Sequence, residues 1–188
     1  RLNAPRQIAW GALVSPQFKK RVIEISDEIG IDPDWLMAIM ALETGRTFRA
    51  DQRNTQNPKS GPVGLLQFTE DGASSLGTTK DALAAMNALQ QLEYVQKWFA
   101  PYKGKKKADG RALLSSLEDV YAAVHYPAAV RKADEATLYE KGKLYGKKQR
   151  DLYKVNSGLD ENHDGRVTRG EAAEAVRKLL EEGKDHAG

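Results

Sequence analysis

The run IDPDWLMAIMALETG, residues 31–45, constrains this chain more than any other. Every residue from Trp35 to Leu42 is apolar. A helix that is apolar around its whole circumference has no face to give to water, so it must sit inside a core. Its punctuation agrees with a helix: Asp32 can cap, Pro33 suits the first turn and Gly45 can close it. The run is too short to span a bilayer. It needs other elements around it, and these must bring apolar stripes of their own.

Ser15 to Gly30 supplies one such stripe. Ser15 can cap, Pro16 suits the first turn, and Phe18, Val22, Ile25 and Ile29 share one helical face. Arg46 to Pro62 is polar and rich in Asn, Gln, Gly and Pro, and it reads as loop. Thr79 to Phe99 reads as one helix, with Leu83, Met86, Leu89, Gln90 and Tyr94 near helical spacing. Leu113–Tyr126 and Ala128–Tyr145 are further helix candidates. No run of alternating β-branched residues and no internal repeat is found. The expected class is all-α. A boundary near Val155 to Gly158 divides a body, residues 1–154, from a short tail, residues 155–188.

With no cysteine, the chain has no disulfide, thiol nucleophile or thiolate metal site. Either redox compartment is compatible with this. The net charge is +3 over 188 residues. From Asp151 onward nine acidic residues outnumber six basic ones, so that part carries −3 and the rest +6. A basic body suits an anionic partner such as a cell-wall polymer, nucleic acid or a membrane surface, or it serves solubility alone. The basic loop Lys103–Lys107, KGKKK, has no interleaved aromatics, and no nucleic-acid motif appears, so nucleic acid is not expected as partner. There is neither an initiator Met nor a secretory signal at the start, which suggests a processed product or an excised fragment.

Glu43 ends the apolar helix. Burial disfavours a charged carboxylate, and the negative end of the helix dipole pushes the same way. Both favour a carboxyl that keeps its proton near neutral pH, which is what a general acid needs at a glycosidic oxygen. The bland alternative is a solvated glutamate at a helix end. Further on, Gly61–Thr69 reads GPVGLLQFT, which sets the Gln67 amide, a donor and an acceptor at once, among apolar residues.

Together, ALETG and GLLQF resemble the lytic transglycosylase and goose-type lysozyme superfamily. In that family a catalytic Glu ends a buried helix, and a Gly-Leu-Met-Gln-type string follows after a loop. Glu43 matches the acid, and Gly64, Leu65, Leu66, Gln67 and Phe68 match the string. VYAAVHYP, Val120 to Pro127, stands where the family has an Ala-Tyr-Asn-type segment, but the family Asn is absent. The resemblance is strongest to the compact lysis domains of bacteriophage endolysins and virion-associated murein hydrolases, and it covers roughly Ser15 to Arg150. It implies a lysozyme-like helical domain acting on peptidoglycan glycan strands in the bacterial cell wall, in the periplasm. The protein would be carried in the virion or released at lysis.

The chemistry implied is cleavage of the β-1,4 bond between N-acetylmuramic acid and N-acetylglucosamine, with Glu43 as general acid and base. Attack by the muramic acid 6-hydroxyl gives a 1,6-anhydro product, and attack by water gives lysozyme hydrolysis. Hydrolases usually employ a second carboxylate. Asp51, Glu70 and Asp71 are candidates, but none is clear, so the transglycosylase is preferred. Gln67, Phe68, Thr69, Tyr121, His125 and Tyr126 are candidate substrate-binding residues. His125 could orient a sugar or tune Glu43, or it could be a satisfied core histidine. Phe68 could stack or simply pack, and Trp35 is expected in the core. A non-catalytic, calcium-dependent wall-binding module is the rival from another class. A monomer with no membrane insertion is expected.

Asp160 to Glu171, DENHDGRVTRGE, has the spacing of an EF-hand loop. Asp160, Asn162 and Asp164 take positions 1, 3 and 5, and Gly165 takes the tight turn. Arg166 offers its backbone carbonyl, Thr168 reaches through water, and Glu171 offers both oxygens. The cofactor expected is Ca2+, which takes six to eight oxygen ligands. His163 is expected to point outward. The helix that follows carries Ala172, Val176, Leu179 and Leu180. Only one such loop is present, so its expected role is to pin the last helix.

Overall fold

The computed structural model describes residues 5–54 and 57–188. Residues 55 and 56 of the predicted polar loop, and residues 1–4 of the predicted body, lie outside the described residues. The protein is mainly helical (50% helix), with one small two-stranded sheet. No described helix is long and apolar enough to cross a membrane. The backbone groups into two compact units, Arg1–Lys105 with Leu179–Gly188, and Lys106–Lys178. The expected calcium segment, 155–188, contributes to both.

The first unit begins its helices with α1, Pro16–Ile29. Ser15 Oγ accepts the Phe18 N–H at 3.1 Å, and Gly30 ends the helix in the left-handed region. The predicted stripe Phe18, Val22, Ile25 and Ile29 is buried, and α1 packs against α2 and α5. Helix α2, Pro33–Glu43, is buried from Leu36 through Ala41, as its apolar circumference requires. Trp35 is half-buried rather than in the core. Short α3 (Glu70–Ser75), α4 (Lys80–Ala85) and the longer α5 (Ala88–Phe99) follow.

The predicted single helix Thr79–Phe99 is thus two. Met86 is extended, and Asn87 and Gln90 form a reciprocal capping box that starts α5 afresh. The restart turns the face. Gln91, Leu92, Val95 and Phe99 point inward, whereas Leu89 and Gln90 are exposed.

The unit is closed by its own two stretches of sequence, residues 8–10 against residues 179–188. Trp10 is 1% exposed; its indole N–H donates to the Leu179 carbonyl at 3.0 Å, and its ring stacks on His186. The Ile8 N–H donates to the Gly188 carbonyl at 2.9 Å.

The second unit contains α6 (Leu117–His125), β1 (Thr137–Glu140), α7 (Leu152–Asn156), β2 (Arg166–Thr168) and the start of α8 (Arg169–Lys184). Helix α6 starts later than predicted because Ser116 Oγ caps it, accepting the Asp119 N–H at 3.1 Å. Residues 128–145 do not form the predicted helix: Pro127–Ala129 makes a 3-10 turn and Thr137–Glu140 a strand. This strand pairs antiparallel with β2, Tyr139 opposite Val167, with a register shift between Thr137 and Tyr139. The bulge puts Leu138 and Tyr139 both inside, so no alternating pattern announces the strand. The all-α class therefore gives way to a mainly helical one.

Candidate active site

Glu43 is the last residue of α2, and the chain stops there by a recognisable device. The Arg46 N–H reaches back to the Ala41 carbonyl at 2.7 Å, and the Gly45 N–H to Leu42 at 3.3 Å, with Gly45 left-handed. This is a Schellman closure. Thr44, 1% exposed, locks it further: its hydroxyl donates to the Met40 carbonyl at 2.7 Å and accepts the Phe48 N–H at 2.9 Å. Arg46 then forms a two-pronged ion pair with Glu182 at 2.9 and 2.6 Å. The backbone under Glu43 is therefore fixed on both sides.

The Glu43 side chain is half-buried and makes no hydrogen bond or ion pair among the described residues. Desolvation by burial pushes its carboxyl up to about 8. A carboxyl so placed is a proton donor at neutral pH.

GLLQF forms a tight turn. Val63 and Phe68 exchange N–H···O=C bonds at 3.0 and 2.8 Å, and residues 64–67 loop between them. The turn is clamped by Gln91, a fully buried amide that sequence reasoning passed over in favour of Gln90. Its Oε1 accepts the Leu65 N–H at 2.7 Å, while its Nε2 donates to the Ala50 and Leu83 carbonyls at 3.0 and 2.9 Å. A Cβ at Gly64 would intrude on this amide, and Gly64 has φ +83°, so glycine is required there twice over.

Gln67 is half-buried with φ 52°. Its Nε2 donates to the Gln52 and Gly64 carbonyls, both at 3.0 Å. The amide nitrogen is thus committed to the loop, and Oε1 is the atom left to accept from a ligand. Phe68 is buried, edge-on to Trp98, so it packs. Thr69 caps α3, its hydroxyl accepting the Gly72 N–H at 3.1 Å. Among the candidate second carboxylates, Asp51 is paired with Arg49 at 2.8 and 2.9 Å and held below the usual carboxylate range. Glu70 and Asp71 are exposed in the first turn of α3.

The remaining substrate-binding candidates lie in the second unit and form an aromatic cluster. Tyr121 is buried and stacks on His125 at 5.2 Å. His125 Nε2 is 3.0 Å from the Tyr139 hydroxyl, and burial pushes the imidazole down to about 4, so it is neutral at ordinary pH. Tyr126 and Tyr145 each meet the Tyr139 ring edge to face. Tyr139, which holds the cluster together, sits in the segment misread as helix.

The 160–171 loop folds on its own side chains. Asp160, 2% exposed, accepts the Asp164 and Gly165 N–H groups at 3.2 and 2.9 Å and the Tyr153 hydroxyl at 2.6 Å. Asn162 Oδ1 accepts the Asp164 N–H and Asp164 Oδ1 the Arg166 N–H. Glu171 closes the loop, accepting from the Glu161 N–H at 3.1 Å and from the Thr168 hydroxyl at 3.0 Å. Gly165 is left-handed, and His163 is exposed. Among the described residues no three His, Cys, Asp or Glu side chains converge closely enough to hold a metal ion. The exit helix α8 buries Ala172, Ala173, Val176 and Leu179, with Leu180 half-buried.

One residue of that loop is unexpectedly deep. Arg169 is 5% exposed, paired with Asp119, which is 1% exposed, and with Asp134 at 2.7 Å. Lys107 Nζ also reaches Asp119, at 2.7 Å. Burial opposes ionisation of Asp119, but the hydrogen bonds from Lys107 and Arg169 outweigh it and hold the carboxyl below its usual range.

Comparison with protein-family models, with curated proteins and with solved structures finds no match.

Proposed function

We propose that this protein cleaves the glycan strands of peptidoglycan between N-acetylmuramic acid and N-acetylglucosamine, with Glu43 as the proton donor. The observation that carries the reading is the placement of Glu43: a carboxyl without a partner among the described residues, at the end of a buried helix and on a locked backbone, where burial pushes its pKa up to about 8. Glu43 gives its proton to the leaving glycosidic oxygen. The resulting carboxylate then takes a proton from the attacking hydroxyl. Gln67 contributes an acceptor, Oε1, suited to a sugar hydroxyl or an acetamido N–H.

Intramolecular attack by the muramic acid 6-hydroxyl is the preferred outcome, making the protein a lytic transglycosylase. The support is the condition of the other carboxylates: Asp51 is neutralised by Arg49, and Glu70 and Asp71 face solvent. Direct hydrolysis would call for a second carboxylate set against the acid, and no hydrogen bond or shared partner ties Asp51, Glu70 or Asp71 to Glu43 among the described residues. Mass spectrometry of digested murein separates the two: 1,6-anhydro ends are expected, and new reducing ends would make the protein a muramidase. Loss of turbidity of outer-membrane-stripped Gram-negative cells by the wild type but not by Glu43→Gln is the test of the enzyme itself. Equal lysis by both would place the acid elsewhere.

For the 160–171 loop we propose Ca2+ binding. Support comes from the donor set: three carboxylates, one side-chain amide, a backbone carbonyl and a hydroxyl, all oxygen donors on a loop turned at Gly165. Asp160, Asn162, Asp164, Arg166 (through its carbonyl), Thr168 and Glu171 would hold the ion, the three carboxylates drawing closer together than they stand without it. Bound, it would supply positive charge to carboxylates that now lean on backbone N–H groups. The role is structural, fixing the start of α8.

A further inference from the structure

A cavity of about 650 Å³ in the second unit belongs to neither site above. Its wall carries five cationic side chains, Lys107, Arg111, Arg131, Lys132 and Arg169, against three carboxylates, Asp109, Asp119 and Asp134. The carboxylates are fully used. Asp119 takes Lys107 and Arg169, Asp134 takes Arg169, and Asp109 takes Arg111 at 2.8 Å. Two cations are left over. Arg131 finds only the Lys106 carbonyl, at 3.1 Å, and Lys132 has no partner among the described residues. The excess of +2 is therefore set by Arg131 and Lys132.

A second observation points the same way. The guanidinium of Arg169 is buried, yet its Nε–H has no acceptor. A buried donor without an acceptor leaves part of the guanidinium charge unmet, which adds to the positive field of the wall although Nε itself is sealed from solvent. The volume exceeds what a single ion needs and falls in the range of small-ligand sites.

We propose that this cavity is an oxyanion-binding site, taking the carboxylate or phosphate group of a small ligand between Arg131 and Lys132, over the buried positive charge of Arg169. The inner pairs Lys107–Asp119–Arg169 hold the wall rigid, so the site is formed before the anion arrives. Attraction comes from the two uncompensated cations and weakens with salt.

The test is NMR titration of the whole chain with two probes, inorganic phosphate and citrate. Saturable shifts are expected at amides 107–111 and 130–134. Binding should weaken about tenfold in the Arg131→Ala/Lys132→Ala double variant. Both side chains are exposed, so the variant should keep the wild-type melting temperature. Response to phosphate alone assigns a phosphate-bearing ligand, response to citrate alone a carboxylate-bearing one, and response to both the shared oxyanion chemistry. Absence of saturable shifts with either probe, or undiminished binding in the double variant, overturns the proposal.

Discussion

Glu43 holds its proton to about pH 8, and two observables should follow. Lysis should fall as pH rises through that value, because the donor is then lost. Stability should already fall below that value, from the ordinary carboxylate pKa up to about 8, because there only the unfolded state releases the proton, and it should level off above. Glu43→Gln removes the burden of a charge that burial disfavours. It should therefore be inactive yet more stable than wild type at pH 8, by about 1–3 kcal/mol, in thermal melts across pH. His125 has the opposite acid limb. Its folded pKa is depressed to about 4, so the unfolded state binds more protons between there and its ordinary value, and stability is lost as pH falls through that window. His125→Gln should flatten that limb in melts recorded between pH 4 and 7. The sequence made the Glu43 argument available because a helix apolar all round leaves its terminal carboxyl little water. It did not reveal Thr44 or Arg46, since a hydroxyl or a guanidinium at a helix end looks alike whether it locks the backbone or faces solvent.

The turn at Gly64–Gln67 depends on α5, through Gln91. Gly64→Ala should cost about 2–4 kcal/mol, because it adds both a left-handed strain and a Cβ against the Gln91 amide. Gln91→Leu should cost about 2–3 kcal/mol by leaving the Leu65 N–H without an acceptor. Equilibrium denaturation of both variants measures this, and wild-type stability in either would detach the turn from the clamp. The cation loop offers an element-level test with its own reporter. Tyr153 donates to Asp160, so Ca2+ arriving at Asp160 should perturb Tyr153 fluorescence and raise the melting temperature. Chelator should reverse both, and Asp160→Ala should abolish both. An unchanged melt with and without calcium would count against Ca2+ binding by the 160–171 loop. At this scale legibility followed punctuation. Ser15, Asp32 and Gly45 marked helix ends correctly, because caps are local chemistry. The break at Met86–Asn87 and the strand at Thr137–Glu140 were not legible. A capping box inside a helical run looks like more helix, and a bulged strand has no period-two pattern to read.

At the scale of the molecule, the chain leaves the first unit after Lys105 and returns to it at Leu179. Removal of residues 179–188 should strip Trp10 of its indole acceptor and of the His186 ring, and Ile8 of the Gly188 carbonyl. A chain ending at Lys178 is expected to melt at lower temperature, with Trp10 fluorescence shifted toward that of a hydrated indole. Unchanged emission would mean that Trp10 is sheltered without those residues. None of this was visible in the sequence, where Trp10 and Leu179 are merely two apolar residues 169 positions apart. That separation has a consequence for synthesis. While the ribosome is still making the middle of the protein, the pocket that shelters Trp10 has no roof, and an indole with its neighbours stays available to chaperones or to other nascent chains. Assembly of the first unit is thus deferred until the closing stretch of α8 leaves the exit tunnel, however early α1 and α2 have formed.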